Sequence, residues 1–158
     1  MDVIASDPGV SAQSMVAVGV RKVEMEEVFE QSDIISIHAP ELPSTYHIVN
    51  EASIASMKDG VILINTARGT AIDEQALAKA LLSGKIKTAC LDVYDPEPPC
   101  ADNPLLKLDN CIMTPHIAGQ AANGLQRIGY NCYCQLLHFL AGERMQGEIT
   151  RDMLNHIA

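Results

Sequence analysis

The segment VILINTARGTAIDEQAL, residues 61–77, decides the fold. Its opening run Val61-Ile62-Leu63-Ile64 would be apolar on both faces of an extended chain, which suits a strand buried in a parallel sheet better than a half-exposed antiparallel one. Asp73 then stands where a helix N-cap belongs, with Ile72 and Leu77 spaced as a hydrophobic staple. Ala80 and Leu81 fall on the buried face, and Gly84 ends the helix.

The same alternation extends in both directions. Val3-Ile4-Ala5, Ile34–Ile37, Thr88–Leu91 and Cys111–Met113 are short apolar runs bounded by polar or turn residues. Between them, Met25, Val28 and Phe29 share a helical face before Ser32-Asp33, and Ile54 and Met57 mark a short helix that stops before Gly60. Leu125, Ile128, Cys132, Leu136, Phe139 and Leu140 trace a long amphipathic helix ending at Gly142. Strands and helices alternating at this spacing predict βαβ units, hence a doubly wound α/β fold with a parallel sheet.

A chain of 158 residues, 47% hydrophobic, fits one domain. With 20 acidic against 11 basic side chains and a formal charge of −9, it lacks the basic surface that nucleic acid requires. No apolar run approaches the ~18 residues of a membrane span, and the first residues have no basic, signal-like start. A soluble, cytoplasmic protein is expected. The five cysteines are odd in number and sit mostly among apolar neighbours, the usage of reduced thiols. Cys132, Cys134 and His138 lie on one helix, but residues two apart on a helix do not face the same way, so no metal site is expected.

In such sheets ligands bind outside the carboxyl ends of the strands. There the sequence places Asp7, His38-Ala39-Pro40, Asn65–Gly69, Asp92 and Thr114-Pro115-His116. An acid after a second strand can accept from ribose hydroxyls and repel a ribose phosphate, although Asp7-Pro8 reads equally as a turn. Arg68 could hold a carboxylate through two parallel hydrogen bonds, or form a structural ion pair. His116 with Glu97 could serve as an acid–base pair; each is otherwise an ordinary hydrogen-bonding loop residue.

Four motifs taken together, HAPELPSTYHIVN, VILINTARGTAIDEQAL, ACLDVYDPEPP and NPLLKLDNCIMTPHIAG, resemble in order and spacing the nucleotide-binding domain of the D-isomer-specific 2-hydroxyacid dehydrogenases. The resemblance implies a substrate-binding arginine at Arg68, a supporting glutamate at Glu97 and an acid/base histidine at His116. It implies NAD as cofactor, with Asp7 on the ribose, and His38, Ala39, Pro40 and Thr45 along the adenosine and pyrophosphate side. Thr66, Ala67, Arg68, Asp92 and the turn from His116 to Gly119 would surround the nicotinamide. It implies hydride transfer on a small 2-hydroxy or 2-oxo acid, and a homodimer.

The sequence departs from that family in lacking the glycine-rich G-x-G-x-x-G turn and the strand before it, so residues 1–145 are expected to form a partial Rossmann-type domain and residues 146–158 a tail, with a short helical face of Ile149, Met153 and Leu154. The strands Val3 to Ser6 and Ile34 to Ile37 should then have their central neighbour missing between them: they either pair directly, borrow a strand from another copy, or stay partly disordered and prone to aggregate. Weak NAD binding and little turnover by this chain alone are expected. An alternative, non-enzymatic reading is an inactive relic or a dimerising, nucleotide-binding interaction module. Another α/β nucleotide or methyl-donor domain would leave Arg68, Glu97 and His116 unexplained.

Overall fold

A computed structural model describes residues 1–120, 124–151 and 153 of the chain. The elements are β1 (Val3–Ala5), α1 (Ala12–Val16), β2 (Val20–Lys22), α2 (Met25–Gln31), β3 (Ile34–Ile37), α3 (Glu51–Ser56), β4 (Val61–Asn65), α4 (Glu74–Ser83), β5 (Ile86–Leu91), β6 (Cys111–Met113) and α5 (Gly124–Leu140). Short 3-10 turns at Gly69–Ala71 and Pro104–Lys107 complete them. The expected α/β class with parallel strands is the one observed.

Strand β4 is the centre of the core. Val61 and Leu63 are fully buried, and Ile62 and Ile64 are half-buried on the other face, as a run apolar on both sides requires. Helix α4 packs against neighbouring β5, with Leu77 and Leu81 buried in the same core. Its ends are set as the sequence indicates: the Asp73 carboxylate accepts the N–H groups of Gln75 and Ala76, and Gly84 takes the left-handed conformation at φ 78° that stops the helix. Strand β5 begins at Ile86, two residues earlier than expected, and β4 takes in Asn65.

The strands form two sheets. One has the order β3-β4-β5-β6 and the other pairs β1 with β2, all parallel. Strands β1 and β3 do not pair, so of the three outcomes anticipated for their edges, direct pairing is not adopted. Helix α2 packs on β1 and on α3.

Two elements, α1 and β2, were not legible in the sequence. The first has five residues, and the second is three residues with Arg21 and Lys22 in it. Helix α5 forms where the apolar spacing predicts it and ends before Gly142 at φ 71°. However, Leu125, Ile128, Cys132, Leu136, Phe139 and Leu140 are all exposed, and no residue of α5 is buried. Its pattern marks a face that favours a cover, and the described residues supply none. Part of the expected helical face in the tail, Leu154, lies outside the described residues; Met153 N–H closes a turn onto the Thr150 carbonyl at 3.1 Å.

A two-stranded sheet without a core on both faces is marginal in water. In native-state hydrogen exchange, the amides of β1 and β2 should exchange at least ~10-fold faster than those of β4 and β5. Equal protection would show that the two sheets unfold as one unit.

Candidate active site

Register aligns the strand ends. Ile37, Asn65, Leu91 and Met113 are paired in one row across β3, β4, β5 and β6. Immediately beyond it come His38, then Thr66-Ala67-Arg68, then Asp92, then Thr114-Pro115-His116. With strands ~4.8 Å apart, β4 and β6 stand roughly 10 Å from each other. Arg68 and His116 therefore leave the same edge of the sheet, each three residues past the row.

The Arg68 loop is shaped from within. Asn65, fully buried, accepts the Ala67 N–H at 3.0 Å and donates its amide to the Arg68 carbonyl at 2.8 Å. Gly69 follows because nothing larger fits: a Cβ there would lie 2.0 Å from the carbonyl carbon and oxygen of Tyr94. The half-buried Arg68 spends one N–H on the Ala67 carbonyl at 2.7 Å. Among the described residues no ion pair involves it, so the structural alternative to ligand binding has no partner there.

The His116 turn is held by a buried acid. Asp92, 2% exposed, accepts the Thr114 hydroxyl and the N–H groups of Ile117 at 2.9 Å and Ala118 at 2.8 Å. Burial works against its charge, yet those three donors and nearby His116 outweigh it and hold the carboxyl below the ordinary aspartate range. The turn places His116 at φ 53°, an uncommon left-handed conformation for a residue with a Cβ. Tyr94 braces the same turn through its hydroxyl, shared between the carbonyls of Leu91 and Thr114.

His116 Nδ1 meets Glu97 Oε1 at 2.8 Å. An ionised carboxylate can only accept, so Nδ1 carries the proton and Nε2 is left for another partner. Glu97 and His116 are thus brought together directly. Arg68 shares their edge of the sheet, but no hydrogen bond joins it to either among the described residues.

The other anticipated positions divide. Asp7, at the end of β1, accepts the Gly9 N–H on Oδ1 at 2.7 Å, and Oδ2 has no partner among the described residues. An exposed carboxylate oxygen with free lone pairs fits the hydroxyl donors of a ribose. His38 bonds the Ser36 hydroxyl at 2.9 Å. The Thr45 hydroxyl is committed to its own turn, bonding the Pro40 carbonyl at 2.5 Å and the Leu42 backbone. Thr66 and Gly119 are exposed, and Ala39, Pro40 and Ala67 are half-buried. The bracing roles of Asn65, Gly69, Tyr94 and Thr114 were not anticipated; all but that of Asn65 act across segments twenty or more residues apart.

Residues 1–118 match the model of the D-isomer specific 2-hydroxyacid dehydrogenase, NAD binding domain. The chain belongs to this family. D-3-phosphoglycerate dehydrogenase of Archaeoglobus fulgidus is 43% identical to it over 129 residues, which is 82% of this chain and 24% of that protein. Hydroxypyruvate reductase of Thermotoga maritima is 47% identical over 131 residues, 82% of this chain and 42% of that protein. Among solved structures, a D-lactate dehydrogenase from Treponema pallidum superposes with a TM-score of 0.81 at 34% identity, over 94% of this chain and 48% of that one. The NAD-complexed D-isomer specific 2-hydroxyacid dehydrogenase from Lactobacillus delbrueckii ssp. bulgaricus gives 0.82 at 29% identity, over 94% of this chain and 48% of that one. The chain spans about a quarter to a half of the length of these proteins. NAD, the expected cofactor, is the one this family's domain binds.

Two substitutions test the dehydrogenase-family site as built. Gly69→Ala drives a methyl into backbone and should cost ~3 kcal/mol or more in urea unfolding; an unchanged midpoint would contradict the close approach. Asp92 has a folded-state pKa below its unfolded one, so its contribution to stability is full at neutral pH and is lost as pH falls through the folded value. The melting difference between the protein and Asp92→Asn should therefore be large at neutral pH and shrink below about pH 4; a gap independent of pH would assign the effect to packing.

Proposed function

We propose that the protein is an NAD-dependent oxidoreductase that interconverts a small 2-hydroxy acid and its 2-oxo acid. One observation carries this reading: the imidazole–carboxylate pair of His116 and Glu97 stands on the same sheet edge as Arg68, whose guanidinium has no ion pair among the described residues. A structural scaffold has no need of that combination.

Arg68 grips the substrate carboxylate through the fork of its guanidinium and so orients C2. His116 Nε2 gives a proton to the carbonyl oxygen during reduction and takes it from the hydroxyl in the reverse direction. Glu97, bonded at Nδ1, keeps the ring in the tautomer that presents Nε2. Asp7, His38, Ala39, Pro40, Thr45, Thr66, Ala67, Arg68, Asp92, His116 and Gly119 are the positions we assign to holding NAD. When bound, NAD supplies the hydride acceptor and, reduced, the hydride donor. Asp92 keeps one carboxylate oxygen with a single backbone donor, so it can take a carboxamide N–H besides bracing the turn.

We further place the protein in the cytoplasm as a homodimer. Its five cysteines are all free thiols, and no helix among the described residues is long and apolar enough to cross a membrane. A second reading, an interaction module without turnover, is favoured by the bare apolar face of α5.

The discriminating experiment is NADH consumption by the purified protein with a panel of 2-oxo acids, with binding of each acid followed in parallel by chemical shift. Turnover, or 2-oxo acid binding that needs Arg68, supports the oxidoreductase; neither, with any acid, leaves the interaction module. In any form of the protein that turns over, Arg68→Lys keeps the charge and loses the fork, so it should lower kcat by ~10²-fold and raise KM together. Unchanged kinetics would remove Arg68 from the site.

A further inference from the structure

The first residue of α4 reaches across to the loop that carries Glu97. Glu74 Oε1 accepts the Asp95 N–H at 3.1 Å, and Oε2 accepts the Asn103 side-chain amide at 2.5 Å. Asp95 and Asn103 are the two ends of the segment 95–103. Asn103 is itself fixed, 8% exposed, with Oδ1 accepting the Leu105 N–H at 3.0 Å. Between those ends the described backbone hydrogen bonds of the segment come down to one, Asn103 N–H to the Cys100 carbonyl at 2.9 Å. Glu97 is exposed, and its side-chain contact is His116.

We infer that Glu74 is a positioning residue: by clasping both ends of loop 95–103 with one carboxylate, it sets the reach of Glu97 to His116 Nδ1. The inference rests on the reading of Glu97 and His116 as the acid–base pair. Helix capping does not explain the arrangement, because the Asp73 side chain already takes the first free N–H groups of α4. Both Glu74 oxygens point instead to the loop. Helix α4 follows closely on the Arg68 turn, so the clasp also links the loop that bears the carboxylate to the turn that bears the guanidinium.

The test uses the full chain and needs no turnover, so its failure is distinguishable from failure of the oxidoreductase reading. The readout is solvent exchange of the His116 Nδ1–H in nitrogen-edited spectra, assigned by its loss in His116→Gln. Glu74→Gln turns an amide N–H₂ against that of Asn103 and should speed exchange about tenfold or more. The double variant Glu74→Gln with Asn103→Asp reverses donor and acceptor, keeps an oxygen for the Asp95 N–H, and should return exchange to within about twofold of the parent.

Unchanged exchange in a folded Glu74→Gln, or a folded double variant that fails to recover the signal, would overturn the proposal. So would loss of the β4 and β5 amide pattern in both variants, since that makes Glu74 a folding residue.

Discussion

The arrangement depends on the register of four parallel strands, which puts Ile37, Asn65, Leu91 and Met113 in one row and so delivers every later residue of those segments to one edge. Hydrogen bonding between the strands imposes this row, and the unequal faces of β4 hold it, because a slip of one residue would turn Val61, Leu63 and Asn65 out of the fully buried face and Ile62 and Ile64 into it. Beyond the row, local polar contacts take over. Asn65 curls the Arg68 loop, and Asp92 gathers the turn that ends in His116.

Those contacts show a consistent division of labour. His116, which faces solvent, sits in a turn held by residues that do not, Asp92 and Tyr94, and Glu97 meets the ring from outside. A buried charge is tolerated at Asp92 because three donors converge on it. The left-handed backbone of His116 persists because the next two amides are captured by the same carboxylate. The site is therefore preorganised on the β5 and β6 side, while the Arg68 guanidinium commits one of its donors among the described residues, to the Ala67 carbonyl.

Much of the fold was legible from runs such as Val61–Ile64, where burial on both faces excludes most alternatives, and from the Asp73 and Gly84 signals that bound α4. Strand β2 was not, because Val20-Arg21-Lys22 is short and charged and gains its state only by pairing with β1. The candidate residues were legible because a strand end is a position that the sequence reveals. Their supports were not: Glu74 with Asn103, and Thr114 with Asp92, join segments more than twenty residues apart, and no local pattern encodes such a meeting. For α5 the spacing correctly gave a helix and an apolar stripe, but what a stripe packs against is a property of the whole assembly.

The central claim is that a guanidinium, a carboxylate and an imidazole from three separate segments serve one small pocket. A crystal structure of the protein with NADH and an unreactive 2-oxo acid analogue tests it most directly. The account predicts the analogue's carboxylate on the Arg68 fork and its 2-oxo oxygen within hydrogen-bonding distance of His116 Nε2, with Glu97 still on Nδ1. An analogue seated away from these groups, or one that engages Arg68 while His116 faces elsewhere, would contradict it.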